Sequence, residues 1–204
     1  MTNKYVNKFL NLKCAGDIIG IAGPMKKYEK EITEAMSIRE ALRKFTIKEP
    51  MQYTLVDLCS GNALVPLLAA FTLPVKKAIA VDIRERNRPW HMANRFEYIT
   101  CNIREDEILK TIHKQGPVVI TACHACKSLA TQIIDIFGAL DNAKHLIMMP
   151  CCIGQTKGYC PPIVKEKLGR YLSWSYYLSQ EANGELKVDN NIISPCNALI
   201  IASK

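Results

Sequence analysis

Apolar residues recur at two different periods along this chain. Over residues 25–45 (MKKYEKEITEAMSIREALRKF), Tyr28, Ile32, Met36, Ile38, Leu42 and Phe45 stay close to one helical face, with no glycine or proline after Pro24. Pro24 and Pro50 stand at the two ends, as helix boundaries do. The pattern predicts a helix there and makes residues 1–50 an N-terminal helical cap packed on residues 51–204. Beyond Pro50 the apolar runs shorten. Residues 53–58 (YTLVDL), 77–83 (KAIAVDI), 96–101 (FEYITC), 117–122 (PVVITA) and 144–149 (KHLIMM) read as strands. Residues 63–71, 104–114 and 127–140 read as helices between them. Residues 163–182 form a long amphipathic helix carrying Tyr171, Trp174, Tyr176 and Tyr177. Two strands close the chain, at 185–188 and 198–202, with no helix between them.

Short apolar strands alternating with helices predict a mostly parallel sheet covered on both faces. The closing pair predicts an antiparallel hairpin at one edge. A chain of 204 residues suits one compact unit with one core. No apolar run approaches the roughly 20 residues that span a bilayer, and the first residues lack the form of a signal peptide. No membrane partner is expected. The nine cysteines are an odd number, and several lie in or beside apolar runs. They read as reduced thiols of a cytoplasmic protein rather than a disulfide framework. The formal net charge of +8 suggests an anionic partner, with nucleic acid as first candidate and a basic solvated surface as the plain alternative.

The chemistry concentrates at strand ends. The first strand runs into Asp57-Leu58-Cys59-Ser60-Gly61-Asn62, a tight small-residue turn before a helix. Such a corner binds nucleotides. A dinucleotide site needs G-x-G-x-x-G around a pyrophosphate. Here there is one glycine, and an acid stands where it would repel phosphate. Asp57 favours a cationic, phosphate-free ligand. S-adenosylmethionine (SAM), with an ammonium and a sulfonium, is one. The second strand ends Asp82-Ile83, and Asp82 is placed to accept both hydroxyls of a ribose. The third ends Cys101-Asn102, which puts Asn102 at the adenine edge or makes it a turn former. Asp57, Cys59, Ser60, Gly61, Asn62, Asp82, Ile83, Asn102 and Cys123 are therefore the candidate cofactor residues.

On these residues the chain resembles the class I SAM-dependent methyltransferases. It is similar in particular to a subfamily typed by D-x-C-S-G, H-A-C after the fourth strand and P-C-C after the fifth. These read here Asp57-Leu58-Cys59-Ser60-Gly61, His124-Ala125-Cys126 and Pro150-Cys151-Cys152. Ser194-Pro195-Cys196-Asn197 resembles the entry to the subfamily's last strand. The resemblance covers roughly residues 26–203. It implies a Rossmann-like seven-stranded α/β fold and a methyl-transfer enzyme using SAM. Lys127 stands where the subfamily usually has Gly or Asp, and Ala63 where a third glycine is common.

The cysteine–histidine cluster has several readings. In an acceptor pocket, His124 acts as general base or orienting donor. In covalent catalysis, Cys151 or Cys152 attacks the acceptor as a thiolate. In a metal site, Cys123 and Cys126 join Cys151, Cys152 or Cys160. In the last, the residues are packing only. The favoured assignment makes His124, Cys151 and Cys152 catalytic and leaves metal out. RNA is the favoured acceptor, held by Arg84, Arg86, Arg88 and Arg95 with Trp90 available for stacking. Lys26, Lys27 and Lys30 add charge from the first helix. A protein or small-molecule acceptor, or a methyltransferase-like binding module without activity, is the alternative.

Overall fold

The computed structural model describes residues 3–154 and 161–204. The cap consists of α1 (Lys4–Leu10), α2 (Ala15–Ala22) and α3 (Tyr28–Thr46). Only α3 was distinct in the apolar pattern. Asn3 caps α1, its side-chain oxygen accepting from the amides of Tyr5 at 2.8 Å and Val6 at 3.3 Å. The rest alternates as β1 (Thr54–Leu58), α4 (Leu64–Thr72), β2 (Lys77–Asp82), β3 (Phe96–Thr100), α5 (Asp106–His113), β4 (Val118–Cys126), α6 (Ser128–Ala139), β5 (Ala143–Cys152), α7 (Pro162–Glu181), β6 (Glu185–Val188) and β7 (Ala198–Ser203). Among the described residues the seven strands form one sheet in the order β3-β2-β1-β4-β5-β7-β6. The first five are parallel, and β7 runs antiparallel to both β5 and β6.

Period-two alternation splits the core between the two sheet faces. Leu55, Val119 and Ile147 point to the side that also buries Phe9, Ile18, Met36, Leu42 and Leu67. Their neighbours Val56, Ile120 and Met148 point to the other side, with Ile108, Ile133, Phe137 and Trp174. The cap helices and α4 thus cover one face, and α5, α6 and α7 cover the other. A buried carboxylate fastens the cap. Asp189 Oδ2 accepts from Tyr5 Oη and from Ser37 Oγ, each at 2.6 Å, and Oδ1 accepts from the Asn191 amide at 3.0 Å. Burial opposes the charge on Asp189, but these donors outweigh it and hold its carboxyl below the usual range.

Two elements differ from the sequence expectation in ways that matter. β4 and β5 run on to Cys126 and Cys152, so His-Ala-Cys and Pro-Cys-Cys are the ends of strands rather than loops after them. Each extension gives the other a backbone partner, with Ala125 beside Pro150 and Cys126 beside Cys152. The register slips between Cys123 and Ala125, where His124 adopts φ +65°. That bulge turns His124 out of the ladder. The second difference is in α7, which is broken at Gly169, where φ is +69°.

Candidate active site

The sheet order reverses between β1 and β4, and ligands of open α/β sheets bind beyond the strand ends at such a point. A cavity of about 800 Å³ lies there. The turn after β1 forms its floor. Cys59, Gly61 and Ala63 all have positive φ, at 59°, 56° and 59°. Ala63 thus holds a left-handed conformation that favours glycine. The turn is fixed to its neighbour strand, because the Ser60 amide donates to the Val81 carbonyl at 2.9 Å and the Gly61 amide to Asp82 Oδ2 at 2.7 Å.

Asp57 is 1% exposed and accepts from Thr121 Oγ1 at 2.6 Å. Burial drives its carboxyl up to about 7, and the nearby Asp82 adds to this. Asp82 is the opposite case. Burial pushes its carboxyl up, but Arg84 and the Gly61 amide more than compensate and hold it below its usual range. Arg84 donates to Asp82 three times, from its amide at 3.0 Å, from Nε at 2.8 Å and from Nη2 at 3.2 Å. The guanidinium thus stands on the carboxylate assigned to a ribose. Ile83, 66% exposed, and the largely buried Ile103 supply apolar lining. Asn102 lines the cavity too, and its Oδ1 accepts from the Arg104 amide at 3.1 Å, so it also forms the turn. Burial raises the Cys59 thiol to about 11.

Helix α3 forms a wall. Lys27, Lys30, Glu31 and Glu34 are spaced three and four apart, and this polar stripe faces the cavity. Asn62 of the turn donates to Glu31 Oε2 at 3.0 Å. Glu34 is fully buried, and its Oε2 lies 2.8 Å from His124 Nε2. Lys30 Nζ lies 3.4 Å from the other oxygen. Sequence reasoning missed Glu34. The available signal was a carboxylate three residues beyond Glu31 and four beyond Lys30, set among the apolar residues Ile32, Ala35 and Met36.

Among the described residues, two groups of side chains have ligand atoms within 4.8 Å of one another, as a metal ion requires. One is Glu34, Cys123 and His124. Its carboxylate is already paired with His124 and Lys30, and burial with nearby Glu34 and Asp57 pushes the Cys123 thiol well above its usual range. This group suits an oriented histidine better than a cation. The other is Cys126, Cys151 and Cys152. Cys126 Sγ and Cys151 Sγ donate to Cys152 Sγ at 3.4 and 3.5 Å. Those two bonds favour the thiolate at Cys152 and lower its pKa, whereas burial raises that of Cys151. Cys160 lies outside the described residues.

The arginines expected to hold RNA have partners within the chain. Arg84 is turned onto Asp82. Arg88 Nη2 donates to Asn62 Oδ1 at 3.1 Å, and its charge is 5.8 Å from the Trp90 ring centre. Arg95 donates to the carbonyls of Val75 at 2.8 Å and Ala70 at 2.6 Å, where it ties down the end of α4. Trp90 stacks on Tyr98, with ring centres 4.8 Å apart, which engages a face assigned to a base. Arg86 does line the cavity, along with Arg104 and the three lysines.

A family model described as a methyltransferase domain matches residues 26–158, well over half of the chain. The chain belongs to the methyltransferase-domain family. It is a class I methyltransferase, an enzyme with SAM as donor. No curated protein matches its sequence. Among solved structures, a putative SAM-dependent methyltransferase from Streptococcus mutans aligns with a TM-score of 0.52 at 12% identity, covering 81% of this methyltransferase and 48% of that chain. This methyltransferase therefore spans about half the length of that relative. TrmK of M. capricolum, solved with S-adenosyl-homocysteine, aligns at 16% identity over 80% of this chain and 67% of its own, with a TM-score of 0.43. The m1A22 tRNA methyltransferase TrmK of B. subtilis aligns at 13% identity over 80% and 64%, with a TM-score of 0.44. Among the described residues no helix of the methyltransferase is long and apolar enough to cross a membrane.

Proposed function

We propose that this methyltransferase acts on RNA in the cytoplasm, with the donor seated between Asp57 and Asp82 and the acceptor against His124. The observation that carries the reading is the buried Glu34 paired with His124 in the same cavity as the two strand-end acids. The buried carboxylate holds the imidazole in one orientation at the cavity. That is what a base needs when it takes the proton of a group being methylated. SAM, when bound, supplies an electrophilic methyl on a sulfonium.

The chain's part is to bind and align. Asp57 faces the ammonium, and Asp82 takes the ribose hydroxyls after Arg84 swings away. Ile83 and Asn102 border the base, while Cys59, Ser60, Gly61, Asn62 and Cys123 contribute walls and backbone. An RNA acceptor is favoured by the cations at the cavity, namely Lys26, Lys27, Lys30, Arg86 and Arg104. A cytoplasmic setting agrees with the eight described cysteines, which are all free. Membership in the D-x-C-S-G, H-A-C, P-C-C subfamily is part of this proposal. In this reading His124 and Glu34 carry the catalytic role, while Cys151 and Cys152 sit with Cys126, and Cys151 Sγ also donates to the His124 carbonyl at 3.6 Å.

The test is methyl transfer from labelled SAM to total RNA, with and without nuclease and across a salt series. RNA as acceptor predicts label lost with nuclease and falling steeply with salt. Label that survives both moves the acceptor to protein or a small molecule. His124→Ala lowers kcat by about a hundredfold or more. Glu34→Gln, a positioning change, lowers kcat and leaves SAM affinity intact. Equal kcat in Glu34→Gln and wild type removes the dyad from the mechanism.

A further inference from the structure

Four of the eight described cysteines are packed against one or other core, namely Cys14, Cys59, Cys101 and Cys123. Cys126, Cys151, Cys152 and Cys196 belong to neither. Instead they gather at the paired ends of β4 and β5, half-exposed, on the side of the His124 bulge. From this arrangement we propose that Cys126, Cys151 and Cys152 bind a zinc-class divalent ion as thiolates. The site is independent of the donor and acceptor assignments above.

The geometry is close to what the ion demands. Four ligands at about 2.3 Å in a tetrahedron stand about 3.8 Å apart. The measured Sγ separations of 3.4 and 3.5 Å need only a few tenths of an ångström of spreading. Soft thiolates select zinc over magnesium or calcium. Cys126 and Cys152 are register partners on adjacent strands, so the ladder itself holds two ligands in place. Cys196 Sγ donates to the Cys151 carbonyl at 3.2 Å, which places a fourth thiol beside the site. Each thiol releases its proton to solvent as the metal bonds form. The ion leaves the site with net charge −1 for three thiolates, next to the cationic Lys127.

A disulfide is the competing use of the same sulfurs. Adjacent residues have Cα atoms about 3.8 Å apart, under the usual 4.4 Å minimum for a bridge, so Cys151 and Cys152 pair poorly. A Cys126–Cys152 bridge fits, but leaves Cys151 idle. A metal uses all three. Bound there, it clamps the strand ends that carry the His124 bulge, and Cys126 places it at the cavity wall.

The experiment is a cobalt(II) titration of the reduced, metal-stripped full chain, followed by zinc(II). The proposal predicts a thiolate-to-cobalt charge-transfer band and intense visible bands of tetrahedral cobalt, saturating at one ion per chain and bleached by zinc. Cys126→Ser, Cys151→Ser and Cys152→Ser abolish the saturable band, while Cys14→Ser keeps it. Because a serine variant can misfold, wild-type alkylation is followed in parallel by peptide mapping, and zinc must slow it at all three cysteines. No saturable band in the folded wild type, or alkylation unaffected by zinc, overturns the proposal. So does a stoichiometric Cys126–Cys152 disulfide in protein thiol-trapped directly from cells.

Discussion

Replacing Asp57 by Asn separates what this residue does for the fold from what it does for the ligand. Its carboxyl stands at about 7 against an ordinary 3.8, because burial penalises the charge. Between those values the native chain keeps a proton that the unfolded chain has lost. Stability therefore falls as pH rises through that window, and above pH 7 the whole penalty is present. Three units at 1.36 kcal/mol each come to about 4 kcal/mol. Asn keeps an acceptor for Thr121 but brings a buried amide that costs about 1–3 kcal/mol if unpaired. The variant is then more stable than wild type by about 1–3 kcal/mol at pH 8, and less stable at pH 4. Urea denaturation of both proteins from pH 4 to 8.5 reads this directly, since all other titrations cancel in the difference. A difference that stays flat over that range refutes the argument. The ligand side is read in the same proteins. SAM raises the melting temperature of wild type at pH 8 and does not raise that of the variant. Wild-type affinity falls about tenfold per unit below pH 7, as the carboxylate that faces the ammonium is protonated.

Arg84→Ala frees Asp82 from an exposed guanidinium worth roughly 1 kcal/mol, so SAM binds about fivefold tighter by calorimetry, whereas a weaker complex makes Arg84 a donor-site ligand. Changing Lys26 and Lys27 together to Gln lowers the slope of log affinity for RNA against log salt by about 1.5, and an unchanged slope takes the α3 rim out of the RNA path. Gly154→Ala places a methyl 2.6 Å from ring carbons of the fully buried Trp174. It lowers stability by about 1–3 kcal/mol in thermal denaturation, and an unchanged midpoint means the ring moves freely.

The strand ends were the most legible part of the site. Asp57 and Asp82 follow apolar runs, and the alternation of strand and helix puts both at the same sheet edge with no further information. The mostly parallel sheet and its antiparallel edge pair followed from the same alternation and from the missing helix before the last strand. What escaped is contact between distant segments. Glu34 lies on the polar stripe of α3, and a polar stripe ordinarily faces water. Its burial comes from the β4 bulge that brings His124 over it, and nothing local in either segment announces that meeting. The partners of the arginines escaped for the converse reason. Charge in a row reads as a surface, but Arg95 finds the open carbonyls at the end of α4, and Arg84 finds the acid two residues behind it. Side chains with long reach answer to the nearest unsatisfied partner, and that partner is set by the fold.

The Asp189 carboxylate, bonded to Tyr5 of α1 and Ser37 of α3, bears on how the molecule is made. A ribosome delivers residues 4–46 long before residue 189, so the cap helices can form and settle on the early strands while their shared acceptor is still unmade. Ser37 is one helical turn from Glu34. The wall that orients His124 is therefore left without its buried anchor until the turn after β6 arrives, 152 residues after Ser37.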